Sequence, residues 1–169
     1  MTDYDRQIEQ QIPRLRRYAR ALTGERSAAD DLVQDTLERA WNKFHLWRRG
    51  SDLRAWLFTI MHNVFVNQVR SRSRQNAESL DHEAYSVAVR ETQSDALEIR
   101  DLDTALRRLP DEQREVLLLV GLEQLAYGEA ARVLGIPIGT VMSRLSRGRA
   151  RLHALLSGGN AISSLKVVK

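Results

Sequence analysis

The sequence contains no cysteine, and only 3 of its 169 residues are proline. Disulfide bonds and thiolate metal sites are therefore excluded. No apolar run approaches the ~20 residues that a helix needs to cross a bilayer. The N-terminal residues are polar and lack the apolar core of a signal peptide. We expect a soluble protein of the cytoplasm that does not insert into a membrane.

Recognisable catalytic and metal-binding motifs are also lacking. The 4 histidines are far apart in the sequence and show no ligand spacing such as H-E-x-x-H. The chain has no phosphate-binding loop and no G-x-S-x-G nucleophile motif. The sequence therefore predicts a protein that is not an enzyme and that uses no metal or cofactor.

The composition is that of a globular protein. Hydrophobic residues make up 43% of the chain and charged residues 28%, which argues against disorder throughout. A length of 169 residues fits one domain or two small ones. The formal net charge of +4 is mildly basic and is compatible with a polyanionic partner.

Two amphipathic helices are predicted between Asp30 and Arg70, joined by a short basic and aromatic loop, His45 to Ser51. Each helix has an apolar face at helical spacing and a polar face opposite it. The polar face of the first carries Asp31, Asp35 and Glu38, with Gln34 and Asn42 beside them; that of the second carries Arg54, His62, Asn63, Asn67 and Arg70. Such faces can bind a basic partner on one side and a nucleic acid on the other.

The rest of the chain also predicts helices. The first spans Tyr4 to Leu22, with Pro13 expected to kink or split it, and Ser27 is expected to cap the next. Residues from Ser73 to Ser94 are polar and lack periodicity, which indicates a flexible linker. We predict an all-α protein with two small helical domains, with boundaries at 1–74 for the first domain, 75–95 for the linker, 96–157 for the second domain and 158–169 for a disordered tail.

The second domain ends in a helix-turn-helix pattern. A short helix from Tyr127 to Leu134 is followed by Gly135 and by a longer helix from Pro137 to Leu155. The longer helix contains no acid, and its polar residues include Thr140, Ser143, Arg144, Arg147, Arg149 and Arg151. Together with the turn, this favours DNA binding over the alternative of a solvated basic face on a packing helix.

The other two polar faces leave alternatives open. The loop and second helix place Trp47, Arg48, Arg49, Arg54, Asn63 and Asn67 together, and these residue types stack on unpaired bases and read base edges. Trp47 can equally be a core anchor among surface arginines. The acidic face is either a partner site or, more commonly for a charged helix face, simply solvated.

Four stretches together resemble an RNA polymerase sigma factor of the sigma-70 family, extracytoplasmic-function (ECF) group. AADDLVQDTLERAW resembles the region 2 helix that binds the polymerase clamp, and WLFTIMHNVFVNQVR resembles the helix that meets the −10 element. LPDEQREVLLL and GIPIGTVMSRLSRGRARL resemble region 4, which reads the −35 element. The resemblance covers about Leu15 to Leu155 and implies that the two predicted domains are region 2 and region 4.

The resemblance also implies roles for particular residues. Core polymerase would bind Asp30, Asp31, Gln34, Asp35, Glu38, Arg39 and Trp41. The single-stranded −10 element would contact Trp47, Arg48, Arg49, Arg54, Asn63 and Asn67. The −35 duplex would contact Thr140, Ser143, Arg144, Arg147 and Arg149. An anti-sigma factor would be a further partner, expected to mask the face from Asp31 to Glu38 and an apolar stripe from Leu117 to Val120.

The sequence departs from the family pattern at a few positions. Met142 stands where many relatives have a basic residue, and Ser146 where they often have a larger one. Ala126 replaces a usual capping serine, and Gly128 and Ala130 replace larger residues, so the first helix of the pair is expected to be weaker.

The resemblance leaves two rival functions to weigh. A stand-alone helix-turn-helix regulator would leave the acidic helix and the Trp47 loop without a role. A helical adaptor would show no salt-dependent DNA binding.

Overall fold

The computed structural model describes residues 2–78 and 94–167. Every regular element in these ranges is helical, which confirms the predicted all-α fold. The helices are α1 (Asp3–Thr23), α2 (Arg26–Asn42), α3 (Leu53–Glu78), α4 (Ser94–Arg107), α5 (Asp111–Leu117), α6 (Tyr127–Leu134) and α7 (Ile138–Val167). We refer to α1–α3 as the N-terminal bundle and to α4–α7 as the C-terminal bundle.

Helix α1 begins at a capping box. The Thr2 side chain accepts a hydrogen bond from the Asp5 backbone N–H, and the Asp5 carboxylate accepts one from the Thr2 backbone N–H at 2.7 Å. The helix runs through Pro13 without splitting, contrary to one of the two predicted outcomes. Proline removes one backbone hydrogen bond. The buried Ile8 and Leu15 on either side of it pack in one core, which holds the two halves together.

Helix α2 starts earlier than the capping pattern predicted. Its N-cap is Glu25, which makes no side-chain capping bond, and Ser27 already lies inside the helix. The turn at Gly24 sets where α2 begins, because Gly24 adopts a left-handed conformation with φ of 70° and ends α1 two residues before the first residue of α2. The prediction of Ser27 as the N-cap was therefore wrong.

The C-terminal bundle contains the predicted helix-turn-helix. Helix α5 continues into a π-helical turn, Leu118–Leu122, after which Gln124 takes a left-handed conformation with φ of 57°. Helix α6 has the predicted bounds, and Gly135 ends it with φ of 65°. The sequence pattern was sufficient here because a short apolar helix and a left-handed glycine occur together.

Two predicted boundaries fall differently in the structure. Helix α3 extends to Glu78, past the predicted start of the linker at 75, and residues 79–93 of that linker lie outside the described residues. Helix α7 extends to Val167, so the backbone of 158–167 is helical where disorder was predicted. No proline occurs in this stretch to interrupt its backbone hydrogen bonds.

The two bundles share a continuous hydrophobic core. It runs from Ile8 in α1 to Leu145 in α7 and includes residues of every helix from α1 to α3 and from α5 to α7. Tyr18 and Phe58 meet edge to face within it, with ring centroids 5.1 Å apart. Helix α3 packs on α6, and α1 packs on α4 and α5. The bundles therefore contact each other directly.

Candidate partner and nucleic-acid interfaces

The acidic face of α2 is open to solvent. All seven residues that the resemblance assigns to polymerase binding are exposed: Asp30, Asp31, Gln34, Asp35, Glu38, Arg39 and Trp41. The Trp41 side chain is 47% exposed, and its indole N–H donates to the Asp5 carboxylate at 3.2 Å. Asp35 accepts a hydrogen bond from Gln68 of α3 at 3.0 Å. The opposite face of the helix is buried, so this face is available for a partner.

A groove of about 870 Å³ runs beside the acidic face, between α1 and α2. It is lined by the apolar parts of Leu37 and Trp41, by Arg16, Arg17 and Arg20 of α1, and by Arg26 at the start of α2. The sequence showed the arginines around the apolar stripe of α1 but gave no sign that they lie opposite the acids of α2. A partner here would meet both charge signs flanking an apolar strip.

Trp47 lies in an aromatic cluster at the end of α2. Its ring is 5.6 Å from Phe44 and 5.8 Å from Tyr4, and its indole nitrogen is buried with no hydrogen-bond partner. Arg49 lies over the Tyr4 ring at 5.1 Å, and Arg48 is exposed. The structure thus favours the core-anchor interpretation of Trp47 and leaves the two arginines beside it at the surface.

Asn63 and Asn67 are exposed one turn apart on α3, as expected for a shared polar face. Arg54 is not grouped with them. It points to the C-terminal bundle, donating to the Glu123 backbone carbonyl at 3.4 Å and lying 3.7 Å from the Glu129 carboxylate. The predicted −10 set is therefore divided between a solvent-facing side of α3 and a side covered by α6.

The N-terminal end of α7 forms the clearest polar site. A hollow of about 340 Å³ is lined by Thr140, Ser143, Arg144 and Arg147 together with residues of α5. Arg144 lies 3.7 Å from the Glu112 carboxylate. Arg149 is exposed but does not line this hollow. Four of the five residues that were predicted to contact the −35 duplex are thus brought together.

Ala126, which replaces the family's usual capping serine, makes no side-chain capping bond at the start of α6.

Two acids of the C-terminal bundle are buried against bases of the N-terminal bundle, which the sequence analysis missed. Glu123 is 2% exposed, and its carboxylate accepts from Arg17 at 3.1 Å. Glu115 is 5% exposed and lies 2.5 Å from the ring nitrogen Nδ1 of His62. For Glu115, the sequence signal was an acid directly before the apolar run VLLL.

Tyr18 is affected by the same two acids. Burial raises the pKa of Tyr18 well above its ordinary value of 10.0, and the nearby carboxylates of Glu115 and Glu123 raise it further. Tyr18 belongs to α1 and the two acids to the C-terminal bundle, so the smaller, electrostatic part of this rise in pKa comes from across the contact between the bundles.

The apolar stripe expected to meet an anti-sigma factor is largely inside the protein. Leu118 and Leu119 are buried, and Leu117 and Val120 pack against the core. Within 2–78 and 94–167, no group of three or more His, Cys, Asp or Glu residues is arranged to hold a metal ion. Across the same ranges, no helix is long and apolar enough to cross a membrane.

Comparison with known proteins accounts for both bundles. Residues 8–62 match the family described as the Sigma2 domain of PhyR, and residues 99–152 match Sigma-70, region 4. The chain is 41% identical over 145 residues to the ECF RNA polymerase sigma factor EcfG of Rhodopseudomonas palustris (strain TIE-1), which covers 86% of this chain and 80% of that protein. It is 34% identical over 146 residues to the ECF RNA polymerase sigma factor SigM of Bacillus subtilis (strain 168), which covers 85% and 88%.

The whole arrangement of helices also matches a solved structure. That structure is a co-crystal of the sigma factor RpoE with the anti-sigma factor NepR from Bartonella quintana. The TM-score is 0.83 at 40% sequence identity, with 93% of this chain and 98% of that chain covered. Because both bundles are included, the likeness extends to how they sit against each other.

Proposed function

The chain belongs to the extracytoplasmic-function group of RNA polymerase sigma factors in the sigma-70 family, and on that premise we propose which of its surfaces carry out each part of the work. It binds core RNA polymerase, recognises the −35 and −10 promoter elements and helps to melt the promoter. The observation that carries this function is that the matches fall on both bundles, residues 8–62 and 99–152. A stand-alone regulator would account only for the second.

The acidic face of α2 is our candidate for the polymerase site. Its seven residues are exposed on a helix whose other face is core, and an apolar strip and four arginines lie beside it. Mixed charges at the rim of an apolar strip suit a specific protein interface, because opposite charges set the register and like charges exclude wrong partners. The groove residues Arg16, Arg20 and Arg26 extend the site beyond the set implied by the family.

The −10 strand is assigned to the surface around Asn63 and Asn67, with Arg48 and Arg49 at the neighbouring loop. Exposed amides can read the edges of unpaired bases, and exposed arginines can stack on them or bind phosphate. A base flipped out of the stack must regain a few kcal/mol from its new contacts. Because Trp47 packs against Tyr4 and Phe44, we assign it to supporting this loop rather than to direct stacking.

The −35 duplex is assigned to the hollow at the start of α7. Thr140, Ser143, Arg144 and Arg147 face one side, as a recognition helix requires when its N-terminal half enters the major groove. Arg149 lies outside the hollow and suits a phosphate contact further along α7.

Like its relatives, the protein works without catalysing a reaction itself, and it acts in the cytoplasm, where its polymerase and promoter are.

The polymerase site is tested by Asp35→Arg in a binding measurement with core RNA polymerase. Reversing a charge at an interface can cost several kcal/mol, so we expect affinity to fall by more than about tenfold. Asp35 also accepts from Gln68, so Gln68→Ala is the matched control that removes this contact without changing the charge. Affinity unchanged in Asp35→Arg, or lowered equally in Gln68→Ala, would contradict the assignment.

An anti-sigma factor is the second protein partner that we propose. The support is that the chain shares its whole arrangement of helices with RpoE, which was solved in complex with the anti-sigma factor NepR. Since Leu118 and Leu119 are already buried, the expected apolar stripe is not the surface such a partner would mask. The exposed acidic face of α2 remains available to it.

A further inference from the structure

The loop to which we assign part of the −10 contact, residues 45–51, is built around a tight turn. The Ser51 backbone N–H and hydroxyl both donate to the Arg48 carbonyl, at 3.1 Å and 2.6 Å, and Gly50 takes a left-handed conformation with φ of 85°. Arg49 therefore occupies the second position of a four-residue turn and stands at its tip. A binding group on a loop is held precisely only if neighbouring side chains support it.

Tyr4, in the first turn of α1, is a side chain that supports this loop. Its ring packs on Phe44, directly before the loop, with ring centroids 4.5 Å apart, and it meets Trp47 edge to face at 5.8 Å. The guanidinium carbon Cζ of Arg49 lies over the same ring, 5.1 Å from its centroid. All three distances fall within the range of favourable aromatic and cation–π contacts. A single ring from another helix thus contacts the loop at its base and at its tip.

The position of Tyr4 is fixed by the residues around it. One oxygen of the Asp5 carboxylate accepts from the Thr2 backbone N–H at 2.7 Å and from the Thr2 hydroxyl at 2.8 Å. The other oxygen accepts from the indole N–H of Trp41, near the end of α2, at 3.2 Å. The first turn of α1 is therefore attached to the helix that leads into the loop, so the Tyr4 ring and the loop share one support.

Arg49 is the residue through which this support reaches a nucleic acid. Its side chain is exposed, so the guanidinium can contact the Tyr4 ring on one side and an unpaired base on the other. An arginine that rotates freely loses rotamer freedom when it binds, and that loss weakens binding. Holding Arg49 against Tyr4 before the DNA arrives removes part of that cost.

We propose that Tyr4 is a positioning residue for the −10 element: it orients Arg49 and the loop for the unpaired strand, and it acts through them rather than by touching DNA. This role rests on the proposed function, which assigns the loop to the −10 strand. Losing an exposed cation–π contact weakens the interaction that it supports by about two- to fivefold. We therefore expect discrimination at the −10 element to fall by that factor, while the −35 element, which is assigned to α7, is read as before.

Selection from random promoter DNA measures both elements in one experiment. Holoenzyme assembled from core RNA polymerase and the full-length protein is incubated with a library of random duplexes, and the bound fragments are sequenced. The base preferences at −10 and at −35 are compared between the parent and Tyr4→Ala. Tyr4→Leu, which keeps an apolar side chain without an aromatic face, gives the same comparison if Tyr4→Ala folds poorly.

Two control variants separate positioning from stability. Tyr4→Phe keeps the ring and should select both elements as the parent does. Ile8→Val, in the buried core one turn further along α1, lowers stability without removing a contact to Arg49. It should leave the ratio of the −10 to the −35 preference unchanged.

Arg49→Ala tests the route by which Tyr4 acts. We expect it to lower the −10 preference as well, and Tyr4→Ala added to it to have much less effect than Tyr4→Ala alone, because the effects of residues in contact are not additive. Full additivity, a −10 preference unchanged in both Tyr4→Ala and Tyr4→Leu, or an equal fall at −10 and −35 would overturn the positioning role. So would a Tyr4→Phe or Ile8→Val variant as impaired at −10 as Tyr4→Ala. A parent holoenzyme that selects neither element would instead overturn the proposed function.

Discussion

At the scale of single residues, a substitution in the hollow on α7 can distinguish base contacts from phosphate contacts. Arg147 is exposed at its edge, so we expect Arg147→Ala to weaken binding of the full-length protein to −35 duplexes. If Arg147 binds phosphate, the loss is uniform across sequences and the salt slope falls by about 1; if it reads a base, one position relaxes by ~1–3 kcal/mol.

Fluorescence anisotropy on a set of single-base duplex variants at several salt concentrations measures both outcomes. Arg151→Ala is the matched control, since it removes an exposed arginine from the same helix outside the hollow. Equal losses from the two variants would mean that Arg147 acts only through net charge. No loss from either would remove Arg147 from the interface.

The exposure of single residues was predictable where one helix face decides it. Asn63 and Asn67 are exposed as their spacing predicted, and so is the acidic face of α2. Arg54 is nine residues before Asn63, which at about 3.6 residues per turn places the two on opposite sides of α3, and Arg54 contacts Glu123 and Glu129 of the C-terminal bundle. The burial of Glu123 was not predictable from local sequence either, since it depends on a base 106 positions away.

At the scale of helices, the turns around α6 rest on left-handed residues. Gly135 has φ of 65° and nothing within 4 Å of an added Cβ, so Gly135→Ala tests the backbone alone. We expect it to lower the free energy of unfolding by about 1 kcal/mol. Gly128, inside α6, also has open space, but an ordinary helical φ. Gly128→Ala should therefore stabilise by about 0.5–1 kcal/mol.

Chemical denaturation of the two variants measures whether a glycine-to-alanine change lowers the free energy of unfolding at one position and raises it at the other. Stabilisation by Gly135→Ala would mean that the turn is not left-handed in solution. Destabilisation by Gly128→Ala would mean that α6 is not helical at that position.

Helix limits were predictable where a left-handed glycine or a capping motif fixes them, and less so elsewhere. The bounds of α6 agree with the structure because Gly135 ends the apolar pattern. Ser27 satisfied the capping rule for α2, but Gly24 had already turned the chain three residues earlier. Of the two outcomes predicted for Pro13, a split of α1 is wrong, because the flanking core residues hold α1 as one helix.

At the scale of the whole molecule, burial of Tyr18 in the shared core makes stability depend on pH in the alkaline range. Burial and the carboxylates of Glu115 and Glu123 raise its pKa, so the folded protein keeps the phenol protonated above pH 10.0 while the unfolded chain ionises. The stability it contributes is fully present below pH 10.0 and is lost as the pH rises above that value. Tyr18→Phe should therefore flatten the decline in unfolding free energy at alkaline pH.

Denaturation at a series of alkaline pH values measures this decline. Tyr127→Phe is the control for losing a tyrosine hydroxyl at an exposed site. If both variants decline as steeply as the parent, Tyr18 does not keep its proton in the folded state.

The packing of the bundles on each other was not predictable from the sequence. It depends on pairs such as His62 with Glu115, which are 53 positions apart and show no local pattern. The sequence did predict two helical units, because hydrophobic periodicity is a local property. Whether such units pack together is decided by surfaces that periodicity alone does not distinguish from solvated ones.

Transcription in vitro shows whether this chain directs polymerase to promoters. Core RNA polymerase is combined with the full-length protein on a library of random promoter sequences, and the starts of the transcripts are sequenced. We expect transcripts above the level of core polymerase alone, sharing two sequence elements at −35 and −10, with the yield reduced by Asp35→Arg. Transcription no greater than that of core polymerase alone, or starts that share no upstream element, would contradict it.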